Sequence, residues 1–323
     1  MRIGIPRGLL FYRYFPLWES FFEGLGVEVV LSSPTTERTL QEGSRLLPGD
    51  LCLPIKIFFG HTIEIKEKVD FLFIPRYIRI EPEAYMCPKL MGLPDMVRAI
   101  LPPLPPLIDL SFRCKDQVKE SERSFYLEVG KVFTRNKDQV EGVYQKAKLR
   151  EDRFRQILQM GFSFEEAIHL SRTELPSPNQ KKTGMEGVGV IGRPYYLHDP
   201  FIRTSMVKEV EKRGYPLLTP ECWSEREIKT DEKSLRKRIY WSFGKEMVET
   251  AIRLSESPAV RGIILLSSFG CGQDSFNVEM IRHLIKERIP LLSLTFDEHL
   301  SQMSFSTRIE AFLELVQRKE AKR

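Results

Sequence analysis

"GIILLSSFGCG", residues 262–272, is the stretch on which the fold turns. Ile263 to Leu266 form an unbroken apolar run between turn residues, as in a strand buried on both faces of a sheet. The chain then bends through Gly270, Cys271 and Gly272, and a helical period is expected from Phe276 to Arg288. Strand, glycine turn and helix, in that order, make the repeating unit of a parallel α/β sheet.

The unit recurs on both sides. "GVGVIGRP" (187–194), a helix around Met206–Lys212, "GYPLLTPE" (214–221), a long helix near Lys233–Ser255 and "PLLSLTFDEHL" (290–300) complete one set. Residues 1–110 repeat the order: "MRIGIP", a helix built on Phe15, Trp18, Phe21 and Phe22, "VEVVLSS", a second helix, "VDFLFIP" and "PPLIDL". Gly26 and Gly214 stop the first helix of each set. The expected fold is therefore α/β, with two doubly wound Rossmann-like domains of parallel strands. Residues 1–114 form the first and residues 185–323 the second, which closes on an amphipathic helix at Thr307–Arg318. A charged helical connector and linker, residues 115–184, joins them; its alternating charges read as a solvated helix face, and "ELPSPNQKKTG" reads as the linker.

Composition narrows the function classes. A chain of 323 residues has room for two cores, since single cores stop growing near about 250–300 residues. The net charge of +5 is spread along the chain without a basic arm or stacking motif, so no nucleic-acid partner is expected. No window approaches about 18 uninterrupted apolar residues, and the opening "MRIGIPRGLL" reads as strand and loop, so no membrane span or signal segment is expected. "GVGVIG" fits the dinucleotide spacing, but its glycines lie inside the strand and Arg193-Pro194 follow in place of a glycine turn. No P-loop pattern occurs.

Five widely spaced cysteines, Cys52, Cys87, Cys114, Cys222 and Cys271, do not make a disulfide framework and suit a reducing cytoplasm. Ligands of open parallel sheets bind beyond the carboxyl ends of the strands, and Cys271 and Cys87 both follow strands there. Cys52 precedes Pro54 at a helix start, where the helix dipole favours a thiolate. For Cys271 the local reading leaves a tight turn, a reactive thiol and a metal ligand all open. Asp274 and Ser275 are placed to cap the next helix. A nucleophilic thiol needs a base, for which His198, His283 and His299 are candidates, while His61 and His169 read as structural or solvated.

Jointly, "DLCLPIK", "YMCPKLMGLPDMVR", "GRPYYLHDPF", "SFGCGQDS" and "DEHLSQMSFSTRIEAFL" resemble the acyl-CoA dehydratase activase-related proteins. These are stand-alone relatives of the 2-hydroxyacyl-CoA dehydratase iron–sulfur subunits. The resemblance implies a [4Fe–4S]-type cluster, or a larger one, between the domains, ligated by Cys52, Cys87 and Cys271. It also implies Gly270, Gly272 and Gln273 beside it, with Asp274 or His299 hydrogen-bonding behind the ligands. The implied activity is low-potential electron transfer or reductive catalysis in anaerobic metabolism, driven by a separate ATP-hydrolysing activator. Two alternatives accompany it: a non-enzymatic cluster carrier or partner subunit of a dehydratase-like complex, and a thiol-dependent enzyme using Cys271.

Overall fold

Ile3 and Ile5 are fully buried in the central position of the first sheet, and the rest of that half is built around them. The computed structural model describes residues 1–177, 186–223, 227, 238–285, 288–298 and 302–321. In chain order the first half runs β1 (Arg2–Ile5), α1 (Phe11–Gly24), β2 (Glu28–Leu31), α2 (Glu37–Ser44), α3 (Leu53–Ile65), β3 (Phe71–Phe73), β4 (Arg76–Arg79), α4 (Pro88–Met91), α5 (Leu93–Ile100), β5 (Leu107–Ile108) and β6 (Ser111–Arg113). The connector is α6 (Val118–Gly130), α7 (Lys137–Gln159) and α8 (Phe164–Leu170). The second half runs β7 (Gly187–Ile191), α9 (Pro194–His198), α10 (Pro200–Lys212), β8 (Leu217–Leu218), α11 (Ser242–Glu256), β9 (Val260–Ser268), α12 (Gly272–Ile285), β10 (Leu291–Phe296) and α13 (Gln302–Glu320).

Both four-stranded sheets are wholly parallel, and their strand orders match. The first is β2-β1-β3-β5 and the second, read from its other edge, is β8-β7-β9-β10. Each half therefore places its second strand outside its first and continues outward with its third and fourth. Gly26 and Gly214 end α1 and α10 at φ +77° and +78°, a left-handed stop that other residues resist. Along β9 the side chains alternate between two cores. Ile264 and Leu266 join the large core shared with the first half, while Ile263 and Leu265 pack with α11 and α12.

Several elements differ from the sequence expectation. The helix expected from Lys233 begins at Ser242, because Tyr85 of the first half pairs with Trp241 in a parallel bridge; residues 228–237 lie outside the described residues. The helix expected from Phe276 begins at Gly272, directly after Cys271. A small parallel pair, β4–β6, was not expected. The connector is not simply solvated. Trp18 on α1 donates to the Tyr126 hydroxyl on α6 at 3.0 Å, and Arg150 on α7 pairs with Glu19 in a buried contact. Glu151, fully buried, is held by Lys148 and Arg155. The alternating charges thus pair across packed helices as well as facing water.

A buried polar chain joins the halves. Tyr12 donates to the Asp199 carboxylate at 3.1 Å, Thr35 donates to the same oxygen at 2.6 Å, and the Thr35 hydroxyl lies 2.9 Å from His61 Nε2. Burial pushes Asp199 up to about 6 against hydrogen bonds from Thr35, the Phe201 amide and Tyr12. Burial pushes His61 down to about 4, with Glu64 pulling the other way. The raised Asp199 contributes stability that is present below its unfolded value and lost as pH rises through about 6. The depressed His61 contributes stability that is present above 6.5 and lost as pH falls through about 4. Each contribution is on the order of 3 kcal/mol, so between these limits they oppose each other. Urea unfolding from pH 4 to 6.5 is the check. Relative to the native chain, Asp199→Asn should gain stability as pH rises and His61→Gln should lose it; parallel profiles for all three would contradict this balance.

Candidate functional site

Three of the five cysteines stand immediately before helices along the seam between the halves. Cys52 is the N-cap of α3, with Pro54 in the first turn, and Cys87 is the N-cap of α4, followed by Pro88. Cys271 precedes α12, and its carbonyl accepts from the Ser275 amide at 3.0 Å. All five cysteines are free, and these three are half-buried.

Contacts across the seam seat the Cys52 and Cys87 loops on the second half. The Leu53 amide donates to Ser268 Oγ at 3.2 Å, which seats the Cys52 loop on the last residue of β9. Gly270 takes φ +73°, and a Cβ there would stand 2.8 Å from the Asp50 carbonyl and 3.8 Å from the Cys52 amide nitrogen. On the other side, the Tyr85 amide donates to the Tyr240 carbonyl at 2.7 Å, and the Ser242 amide donates to the Tyr85 carbonyl at 3.0 Å. The Cys87 loop is thereby fixed to the start of α11. Lys56 on α3 adds a tie to Glu298 beyond β10, at 2.7 Å. Gly272, by contrast, has nothing within 4 Å of where a Cβ would stand, so no neighbouring residue requires a glycine there.

The sulfurs act on one another and on common neighbours. Burial raises the Cys52 thiol; Lys89 pulls it down, Cys87 pushes it up and Arg193 pulls it down. Burial pushes Cys271 up to about 12, with Arg193 lowering it, and Asp274 and Cys52 raising it. The dipole expected to favour a Cys271 thiolate is thus outweighed by burial. Both Cys52 and Cys271 also act on the fully buried hydroxyl of Tyr195.

Asp274 and Ser275 do not cap α12 as expected. Asp274, fully buried, accepts from Arg193 Nε at 2.8 Å and from the Tyr196 hydroxyl at 2.9 Å. Ser275 donates to the Cys271 carbonyl at 3.1 Å. Arg193 also donates to Gln273 Oε1 at 3.0 Å and to Cys271 Sγ at 3.5 Å. The Gln273 Nε2 is buried without a hydrogen-bond partner. Reading Arg193 only as a residue that spoils a dinucleotide loop missed this role. The available signal was a charged residue placed directly after a fully buried strand.

The candidate bases are placed elsewhere. His198 Nε2 lies 3.0 Å from Glu221 and its ring stacks on Phe164. His283 is on the last turn of α12, about 18 Å along the helix from Cys271 at 1.5 Å per residue. His169 is exposed on α8, and His299 lies outside the described residues. Cys222 ends a short 3-10 turn beside Thr219, and burial raises its thiol to about 11. Cys114 is buried and donates to the Lys115 carbonyl. Among the described residues, the arrangement at Cys271 is therefore a thiol beside a guanidinium, not a thiol–histidine pair.

Among the described residues, no three His, Cys, Asp or Glu side chains could hold a single metal ion. A lone ion with thiolate bonds of about 2.3 Å draws its ligands closer together than an iron–sulfur cluster does. The donor set, three free thiols from three separate loops with an unsatisfied amide donor beside them, fits the wider group. Two clefts of about 430 and 420 Å³ open between α1, α7 and the second half, sharing Arg13, Asp152, Arg155 and Glu246. Neither is lined by these cysteines, but Phe243 connects them, with Arg13 over its ring at 5.6 Å and Arg193 at 5.7 Å. Among the described residues, four aromatic side chains are exposed: Tyr85, Tyr240, Phe269 and Phe276. Tyr85 and Phe269 lie on the loops carrying Cys87 and Cys271, Tyr240 is paired to Tyr85, and Phe276 is on the first turns of α12.

No helix of the described residues is long and apolar enough to cross a membrane. A family model described as the CoA enzyme activase uncharacterised domain (DUF2229) matches residues 2–222. No curated protein matches the chain.

The two glycines beside Cys271 should respond differently to substitution. Gly270→Ala forces a side chain into a left-handed position against a backbone carbonyl and should cost about 2 kcal/mol or more. Gly272→Ala enters open space at a helix start and should stay within about 0.5 kcal/mol of the native chain. Urea midpoints check both; equal losses would contradict the close approach at Gly270.

Proposed function

The chain belongs to the family of the CoA enzyme activase uncharacterised domain, and from that premise we propose that it is an iron–sulfur protein similar to the 2-hydroxyacyl-CoA dehydratase subunits. Cys52, Cys87 and Cys271 would ligate a [4Fe–4S]-type cluster at the seam between the halves. The observation that carries this reading is that three cysteine loops at helix starts, two from the first half and one from the second, lie along the seam, where Cys87 acts on Cys52 and Cys52 acts on Cys271. Bound there, such a cluster supplies a one-electron store at low potential.

The surrounding residues have separate tasks. Gly270 lets the second-half loop close on the first. The Gln273 amide nitrogen, buried without a hydrogen-bond partner, is a donor available to a bound group. Cys52 and Cys271 stand at the starts of α3 and α12, whose positive ends favour negative sulfur. The four exposed rings around these loops give a protein partner an apolar landing beside the cluster. That partner, in this reading, is a separate ATP-hydrolysing activator that delivers the electron, or a dehydratase-like subunit that accepts it, in a reducing cytoplasm.

Anaerobic purification with iron and acid-labile sulfide analysis tests the proposal. The native chain should carry both in equal amounts. Cys52→Ser, Cys87→Ser and Cys271→Ser should each lose most of the iron, while Cys114→Ser and Cys222→Ser keep it. A colourless, iron-free chain after anaerobic reconstitution would sink the reading, as would equal losses in all five variants.

A further inference from the structure

Arg193 is the N-cap of α9, directly beyond the C-terminal end of β7, and its side chain is only 2% exposed. Burying a guanidinium is expensive unless its charge and its hydrogens are matched. The charge is matched by Asp274, whose Oδ1 lies 2.8 Å from Nε and 2.7 Å from Nη2. Asp274 is in turn fixed by the Tyr196 hydroxyl and faces the Ser268 amide. Nη1 donates to the Tyr195 hydroxyl at 3.2 Å, and the guanidinium lies 5.7 Å from the centre of the Phe243 ring. With the fork locked by these partners, Nη2 faces Gln273 Oε1 and Cys271 Sγ.

We propose that Arg193 is a positioning residue that sets the reduction potential of the group held by Cys271, by donating a hydrogen bond to the ligand sulfur from a fixed, water-excluded cation. This rests on the iron–sulfur reading above. Hydrogen bonds to ligand sulfur and the local charge are the levers by which a protein moves such a potential. A donor and a positive charge stabilise the reduced state, which carries one more electron, and so raise the potential. Lys89, which acts on Cys52, is half-buried, so water weakens its field. Lys56 is spent on Glu298 and the Gly49 carbonyl. Among the described residues, Arg193 is the cation that donates to Cys271 Sγ.

A purely structural role makes a different prediction. The Arg193–Asp274 pair ties the end of β7 to the first turn of α12, so losing it would lower stability without moving the potential of any protein that still folds. Arg193→Gln removes the charge and the fork. Arg193→Lys keeps a cation opposite Asp274, preserves folding more readily and cannot reach both the carboxylate and the sulfur with one fixed plane.

Both variants and the native chain, reconstituted anaerobically, are assayed for iron and titrated with a low-potential chemical reductant while the reduced signal is followed by electron paramagnetic resonance. With iron retained, the midpoint should move to more negative values in Arg193→Gln and by a smaller step in Arg193→Lys. If Arg193→Gln does not fold, the Arg193→Lys step alone decides. Iron retained with an unmoved midpoint overturns the role of Arg193 and leaves the cluster reading intact. An iron-free native chain overturns both.

Discussion

The turn after β9 closes on the Asp50 carbonyl because residue 270 has no side chain and takes φ +73°. That approach, with the Leu53–Ser268 hydrogen bond beside it, sets the distance between the two halves at the cysteine edge. Ser268 is the last residue of β9, so the Cys52 loop is seated on the sheet itself and not on a free loop. The Cys87 loop is fixed in the same way, through Tyr85, to the chain entering α11. Each cysteine thus stands on backbone contacts between the halves, and the shared core of the first half, the connector and one face of the second sheet holds those contacts in register.

Two matched strand orders explain why the edge exists. In each half the first and third strands lie side by side at the centre, and in the second half their C-terminal ends lead to Arg193 and Cys271. Helices begin at those loops, and their dipoles favour negative charge there. Burial works against that preference and wins at Cys271, which is held as a thiol at about 12. Coordination reverses such a balance, because a thiol bound to a metal is deprotonated outright. On the proposed cluster, Arg193 is a group that already touches one such sulfur.

Periodicity made much of this legible. Apolar runs and glycine stops located the parallel strands, and the repeat of their order revealed the two halves. The grouping of Cys52, Cys87 and Cys271 came from the family resemblance alone, since no local spacing relates Cys52 to Cys271. What periodicity could not reach were pairings across the seam. Arg193 and Asp274 are 81 positions apart in the chain, so neither position alone reveals the other's charge. Asp274 follows the rule for a helix cap until a buried guanidinium claims it. The charged faces of α6 and α7 looked solvated because their partners, Glu19 among them, lie on other helices. Gly270 and Gly272 look alike in sequence, and only the approach of Asp50 separates them.

A crystal structure of the anaerobically prepared chain tests the central claim most directly, by locating the iron relative to three sulfurs. The sulfurs of Cys52, Cys87 and Cys271 should all bond iron of one cluster and stand roughly 6–7 Å from one another. Iron bound away from these three residues, or a seam closed without iron and with the sulfurs far outside that range, would contradict it.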